Sequence, residues 1–235
     1  MRLLRFLAAV ASRILPTRVF WRAHGLVALV LTPWRFSLLS GHMRSSLVHR
    51  PVARNGEPIP WMTYPATEFL EGQTYARRRV LEWGSGNSTL WWARRAERVV
   101  SFESNFSWYE RIARQAPSNV DLFFVDDQLT SLPSLLKGLR FDVIIIDGLN
   151  RARCAEFSVH LLGDDGAIVL DDSDQPWSPN DSGPYVITDL MHRLGYQRID
   201  FYGYAPAVIR RHCTSVFFKQ RCFLLSGSEP PRRYD

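Results

Sequence analysis

The chain has 235 residues, 46 % of them hydrophobic and 22 % charged, with a formal net charge of +6. This balance is typical of one globular domain with an appendage, and it excludes a disordered chain, a collagen-like repeat and a coiled coil. The three cysteines, Cys154, Cys213 and Cys222, have no metal-ligand spacing. Such a small, odd number favours a reducing, cytoplasmic compartment over a disulfide-stabilised secreted scaffold.

The positive charge is concentrated at the N-terminus. Residues 1–54 contain nine arginines and no acidic residue, so the rest of the chain carries −3 in total. A nucleic-acid groove needs positive charge on the folded domain, and we therefore expect no nucleic-acid partner. We predict a basic amphipathic extension over residues 1–50 and a folded domain over residues 51–235.

Two apolar stretches stand out in that extension. Leu3, Leu7, Val10 and Ile14 recur at helical spacing. A second apolar patch covers residues 26–31 and stops at Thr32-Pro33. Three interpretations stay open: a helix on an anionic membrane surface, a cleaved targeting segment, or a helix that packs on the domain or on a partner subunit.

From Ala66 onward, short apolar runs alternate with helical patterns, which is typical of a parallel sheet with crossover helices. The predicted strands are Arg79–Trp83, Val99–Glu103, Val120–Val125, Phe141–Ile146, Ala167–Leu170, Gln197–Phe201 and Thr214–Phe218. The predicted helices are Ser88–Ala96, one that starts at a capping box of Ser107 and Glu110, one near Arg151–Leu162, and one that carries Val186, Ile187, Leu190, Met191 and Leu194 and stops at Gly195.

Acidic residues collect where these strands end. In open α/β sheets the ligand binds at the carboxyl edge, so this clustering predicts a ligand site. The acids are Glu82, Glu103, Asp126, Asp127, Asp147, Asp171 and Asp172.

A glycine-rich loop follows the first predicted strand. Gly84 and Gly86 allow the backbone a sharp turn and a close approach to a ligand, and the amides at the following helix start face that ligand. A dinucleotide fingerprint has a small residue at the place of Thr89. Glu82, just before the loop, repels a pyrophosphate and suits a ligand with an amine or another cation.

The segment VLEWGSGNSTLWWA (Val80–Ala93) resembles motif I of the class I S-adenosylmethionine-dependent methyltransferases. The runs VVSFES, FFVDD, FDVIIIDG and GAIVLDD agree with the later strands of that family, so the resemblance covers Arg79 to Phe218. It implies a Rossmann-like α/β fold: a seven-stranded, mostly parallel sheet with an antiparallel last strand and helices on both faces. It also implies S-adenosylmethionine as cofactor.

The resemblance implies roles for the loop and for the strand ends. Glu82 lies near the methionine end of the cofactor, and Glu103 binds both ribose hydroxyls. Asp126 or Asp127, equal candidates, lies near the adenine amine, and Asp147 lies where acceptor and methyl group meet. The loop residues that would approach the cofactor are Gly84, Ser85, Gly86, Asn87, Ser88 and Thr89; for Ser88 and Thr89, helix capping alone is an equal interpretation.

Methyl transfer to oxygen also requires removal of a proton. Asp147 or Asp172 would act as the general base or hold the acceptor hydroxyl. Alternatively, Asp147, Asp171 and Asp172 would bind Mg²⁺ or Mn²⁺, as in catechol-type O-methyltransferases, which this chain matches only in part. We favour the route without a metal.

Candidate contacts to the acceptor are Trp61, Tyr64, Asn150, Arg151 and Trp177, although Arg151 also fits an exposed helix start. Trp91 and Trp92 fit a hydrophobic core better than a stacking platform. The sequence favours an O-methyltransferase acting on a small molecule, a glycan or a lipid-linked acceptor. The alternatives are an NAD-dependent oxidoreductase of similar topology and a non-catalytic cofactor-binding module.

Overall fold

The computed structural model describes residues 2–126, 129, 136–148, 150–175 and 183–225. The helices are α1 (Arg2–Ile14), α2 (Thr17–Leu39), α3 (His42–Val48), α4 (Tyr64–Glu71), α5 (Asn87–Ala93), α6 (Phe106–Ala113), α7 (Arg151–Leu161) and α8 (Pro184–Arg193), followed by a 3₁₀ turn over Phe223–Leu225. The strands are β1 (Arg79–Trp83), β2 (Arg98–Glu103), β3 (Val120–Phe124), β4 (Phe141–Ile146), β5 (Leu162–Leu170), β6 (Gln197–Gly203) and β7 (His212–Phe218).

The seven strands form one sheet in the order β3-β2-β1-β4-β5-β7-β6. Strands β1 to β5 pair in parallel, and β7 runs antiparallel to both of its neighbours, β5 and β6. This arrangement confirms the predicted fold class. The strand order reverses beside β1, where β2 and β4 lie on opposite sides, and such a switch point is where open α/β sheets bind ligands.

Alternate side chains of the central strands fill two cores, one on each face of the sheet. On one face, Leu81, Trp83 and Ile144 pack against α7 and α8; on the other, Val80 and Ile145 face the buried Trp91 and Trp92 of α5. Burial of those two tryptophans confirms that they belong to the core. Because both faces are covered, the central strands are mainly apolar, and acidic residues end β2 and directly follow β4 and β5.

Helix α2 continues through Pro33 to Leu39, beyond the apolar stretch 26–31. Several predicted element bounds differ from the observed ones. Helix α6 is capped not by Ser107 but by Asn105, whose Oδ1 accepts from the Trp108 N–H at 3.1 Å. Strand β5 starts at Leu162 rather than Ala167 and includes a polar stretch at the sheet edge.

The N-terminal helices join the sheet through a short aromatic contact. The ring of Phe36, near the end of α2, meets Tyr64 edge-on at 5.3 Å between centroids and lies 6.3 Å from Tyr204. The Tyr64 N–H also donates to the Tyr204 carbonyl at 2.8 Å. No helix in the described part of the chain has the length and apolar character needed to cross a membrane.

Candidate active site

A cleft of about 660 Å³ opens at the carboxyl ends of β1, β2, β4 and β5. The glycine loop and the end of β2 form one side of this cleft, and the loops after β4 and β5 form the other. Its volume falls within the range of about 300–1,000 Å³ usual for small-molecule and cofactor sites. The cleft therefore lies where the acids at the strand ends predict a ligand site.

Gly84 lets the loop after β1 pack directly on the loop after β4. Its φ is +96°, and a Cβ at this position would lie 2.7 Å from the Asp147 carbonyl oxygen and 2.8 Å from the Gly148 Cα. The Gly84 N–H donates to Phe102 O at 2.9 Å, and the Asp147 N–H donates to Trp83 O at 2.9 Å. Only glycine combines this conformation with so close a backbone approach.

Glu82 supports the same loop from below, fully buried. Its Oε2 accepts hydrogen bonds from Thr89 Oγ1 and, at 3.1 Å, from Ser101 Oγ. Thr89 Oγ1 in turn accepts from the Gly86 N–H at 2.9 Å. Glu82 and Thr89 are absent from the described lining of the cleft, so they position the loop from behind. Burial raises the pKa of Glu82 to about 7.

Glu103, at the end of β2, presents its carboxylate to the cleft. Oε2 accepts from the Ser85 N–H at 2.9 Å and from Ser85 Oγ at 3.0 Å, and Oε1 accepts from the Asn105 N–H at 2.8 Å. A carboxylate can accept about four hydrogen bonds, and these three leave one position open. If the Ser85 hydroxyl rotated away, a second acceptor position would become available. Two neighbouring acceptor positions match a vicinal diol.

The remaining loop residues connect the cleft to the segment before the domain. Asn87 Nδ2 donates to the Pro51 carbonyl at 2.7 Å, and Asn87, Ser88 and Pro51 all line the cleft. Gly86 is also part of the lining, in an extended conformation that any residue adopts. Four of the residues predicted to bind a cofactor thus line the cleft: Ser85, Gly86, Asn87 and Ser88.

Asp147 and Arg151 form an ion pair on the opposite side of the cleft. Arg151 Nη2 lies 3.0 Å from Asp147 Oδ1, and Nη1 donates to the Asp171 carbonyl at 2.7 Å. Burial raises the pKa of Asp147 to about 6, an effect that Arg151 partly opposes. Arg151 is only 11 % exposed. It is therefore not an exposed helix start, and its guanidinium holds the loops after β4 and β5 together.

Asp171, Asp172 and His212 meet beside this pair. Thr214 Oγ1 donates to Asp171 Oδ1 at 2.6 Å, and burial, with the neighbouring carboxylates, raises the Asp171 pKa. His212 Nδ1 lies 2.7 Å from Asp172 Oδ1. Burial alone would raise the Asp172 pKa, but the hydrogen bond to His212 and the charge of Arg151 lower it overall. Asp172 also has a φ of +50°, uncommon outside glycine.

These three residues have the spacing of a metal site. One ligand atom from each lies within 4.8 Å of the others. Asp147, the third predicted metal ligand, is paired with Arg151 instead, and Arg151 Nη2 also lies 3.9 Å from Asp172 Oδ2. The guanidinium therefore already supplies positive charge to these carboxylates.

Only some of the residues predicted to contact the acceptor or the adenine line the cleft. Trp61 lines the cleft and is partly exposed. Tyr64 is buried against the N-terminal helices, and burial raises its pKa to about 12. Asn150 and Asp126 are exposed and are absent from the described lining of the cleft. Asp127 and Trp177 lie outside the described residues.

Several cleft residues were not predicted: Trp108, Gln175, Arg210 and His212. Trp108 is held by a hydrogen bond from Nε1 to the Ser85 carbonyl. His212 is the first residue of β7, two positions before the predicted start of that strand. Its place beside Asp172 depends on the antiparallel return of β7.

No family model and no curated protein matches the sequence. Among solved structures, cofactor-bound Rv0187 from MTB superposes with a TM-score of 0.57 at 20 % identity, covering 82 % of this chain and 96 % of that one. Precorrin-6y C5,15-methyltransferase from Geobacter metallireducens superposes with a TM-score of 0.50 at 13 % identity, covering 66 % and 88 %. Together with the strand order, these similarities show that the chain has the class I S-adenosylmethionine-dependent methyltransferase fold.

Proposed function

We propose that this protein is an S-adenosylmethionine-dependent methyltransferase that methylates an oxygen of a small-molecule, glycan or lipid-linked acceptor. The observation that carries the proposal is the position of Glu103, a carboxylate at the end of β2 that shares one cleft with the glycine loop and with Asp147. A dinucleotide oxidoreductase fits less well, because the loop carries Thr89 where the dinucleotide fingerprint has a small residue.

The residues on the β1–β2 side fit the cofactor. Glu103 would accept hydrogen bonds from the two ribose hydroxyls, while Ser85 and Asn105 hold its carboxylate in place. Val125 and Leu129 supply apolar lining beyond the end of β3 for the adenine ring. When bound, the cofactor supplies a methyl group already activated by the sulfonium charge. The protein then has to orient the acceptor and remove its proton.

Asp147 is the better of the two predicted bases. A general base works best with a pKa near the working pH, and burial raises the pKa of Asp147 to about 6. The Asp172 pKa is lowered, so Asp172 is a weak base and would instead hold the acceptor hydroxyl or keep His212 in place. Arg151 fixes the Asp147 carboxylate at the cleft edge.

The same ion pair supports the route without a metal. A divalent cation at Asp171, Asp172 and His212 would lie close to the Arg151 guanidinium and be repelled by it. The charge that a cation would supply in the catechol-type site is here supplied by an arginine. Asp147, whose pKa is raised by burial, would then accept the proton of the acceptor hydroxyl.

Titration calorimetry tests the cofactor assignment without knowledge of the acceptor. The full chain is titrated with S-adenosylmethionine, S-adenosylhomocysteine and NADH, in the wild type and in Glu103→Ala. Loss of charge-assisted hydrogen bonds worth about 1.5–3 kcal/mol each raises Kd by about 10²–10⁴-fold for two bonds. Glu110→Ala, an exposed glutamate of α6, is the matched control and leaves Kd unchanged. Binding of NADH in place of S-adenosylmethionine would contradict the proposal.

A further inference from the structure

Helices α1 and α2 leave an unusual amount of apolar surface exposed. No side chain of α2 is buried, although the helix contains 23 residues. Trp21, Leu29 and Trp34 are 60 %, 72 % and 59 % exposed, and Ile14 of α1 is 74 % exposed. So many exposed large apolar side chains on two consecutive helices mark an interaction site, since their exposure to water is unfavourable.

The charge of this segment is entirely of one sign. Residues 1–54 carry nine arginines and no acidic residue, while the rest of the chain is net negative. Arg13, Arg18 and Arg22 are exposed beside the apolar side chains. A partner for this surface therefore has to offer apolar contact and negative charge together.

An anionic lipid surface meets both requirements. Basic amphipathic helices lie in the membrane interface with their apolar side chains below the headgroups, and the sequence of α1 has this pattern. Helix α2 adds exposed tryptophan and leucine side chains interspersed with arginines. Arginine side chains extend from that depth back to the headgroups, where each gains attraction to anionic lipids. We propose that helices α1 and α2 dock this protein on an anionic membrane surface, which goes beyond the proposed function and does not depend on it.

Few residues of the chain separate the N-terminal helices from the cleft. The end of α2 contacts the domain through Phe36 and Tyr64, and α3 then leads within a few residues to Pro51, which lines the cleft. Asn87 of the glycine loop holds the Pro51 carbonyl. A protein bound through α1 and α2 would thus present its cleft beside the lipid surface.

Vesicle flotation of the full chain tests this proposal. Phosphatidylcholine vesicles with and without phosphatidylglycerol are compared, at low and high salt, for the wild type and for Arg18→Gln/Arg22→Gln. Each arginine contributes about fivefold to the partition onto an anionic surface, so the double variant should bind about 25-fold more weakly. Arg114→Gln/Arg193→Gln, exposed arginines of the domain, is the matched control and should bind like the wild type.

A second pair of variants tests the apolar contribution. Leu29→Ser should lower binding by about tenfold or more, because a buried leucine contributes about 1.5–3 kcal/mol. Ile209→Ser, a fully exposed site in the loop before β7, should have no effect. Circular dichroism melting verifies that all variants fold. Equal binding to both vesicle types, or no binding, would overturn the proposal. So would a dimer in sedimentation velocity that Leu29→Ser dissociates, since a second copy would then cover this surface.

Discussion

Replacement of Glu82 by glutamine should make the stability of this protein less dependent on pH. Glu82 is fully buried under the glycine loop, and burial raises its pKa from the ordinary 4.5 to about 7. A carboxyl with a raised folded-state pKa stabilises the fold while it is protonated. That stability is complete below about pH 4.5 and is lost as the pH rises through about 7.

The size of the effect follows from the two pKa values. Their difference corresponds to about 3 kcal/mol, of which about 2–3 kcal/mol is lost between about pH 5 and pH 8. Glutamine does not ionise, so Glu82→Gln removes this loss. Whatever the amide costs through altered bonds to Thr89 and Ser101, that cost is the same at every pH. The stability of the variant relative to the wild type should therefore shift upward by about 2–3 kcal/mol over this range.

Urea unfolding followed by circular dichroism at several pH values measures this difference. Glu110→Gln, at an exposed position of α6, serves as the control and should follow the wild type. A gap between Glu82→Gln and the wild type that stays constant from pH 5 to pH 8 would refute the assignment of a raised pKa to Glu82.

Two further predictions concern the loops around Asp147. Once screening has found an acceptor, Asp147→Asn should lower kcat by about 10²–10⁴-fold while cofactor binding is retained. The variant should also lose the rise in rate with pH through about pH 6, where the Asp147 carboxyl of the wild type ionises. An unchanged pH profile would exclude Asp147 as the base. Gly84→Ala should destabilise the fold by more than Gly138→Ala, because both positions have positive φ but only the Gly84 Cβ meets backbone atoms. Urea unfolding should show about 1–2 kcal/mol for the Gly138 variant and a larger loss for the Gly84 variant; equal losses would contradict the close packing of the two loops.

The sequence predicts the centre of the sheet better than its margins. Strands β1 and β4 have the bounds that their short, mainly apolar runs predict. The start of β5 was missed because residues 163–166 are not apolar, and the pairing with β4 shifts register across them, from Phe141–Leu162 to Val143–Ala167.

In the cleft, residues next to a strand end could be predicted, and residues brought in by tertiary packing could not. Glu103 is the last residue of β2 and Asp147 directly follows β4, so the parallel pairing of both strands with β1 places them at one edge of the sheet. Arg151 looked like an exposed helix start because sequence does not reveal how β4 and β5 loops converge on its guanidinium. His212 reaches Asp172 only through the reversal of β7.

The hydrogen bond from Asn87 to the Pro51 carbonyl has a thermodynamic consequence. It links the glycine loop to the segment that leads back to the N-terminal helices, and both of its partners line the cleft. A ligand that orders the loop also favours one position of that segment, and whatever holds the segment there favours the ligand. Because linkage is reciprocal, a ligand in the cleft and the proposed docking of the N-terminal helices would favour each other by the same free energy.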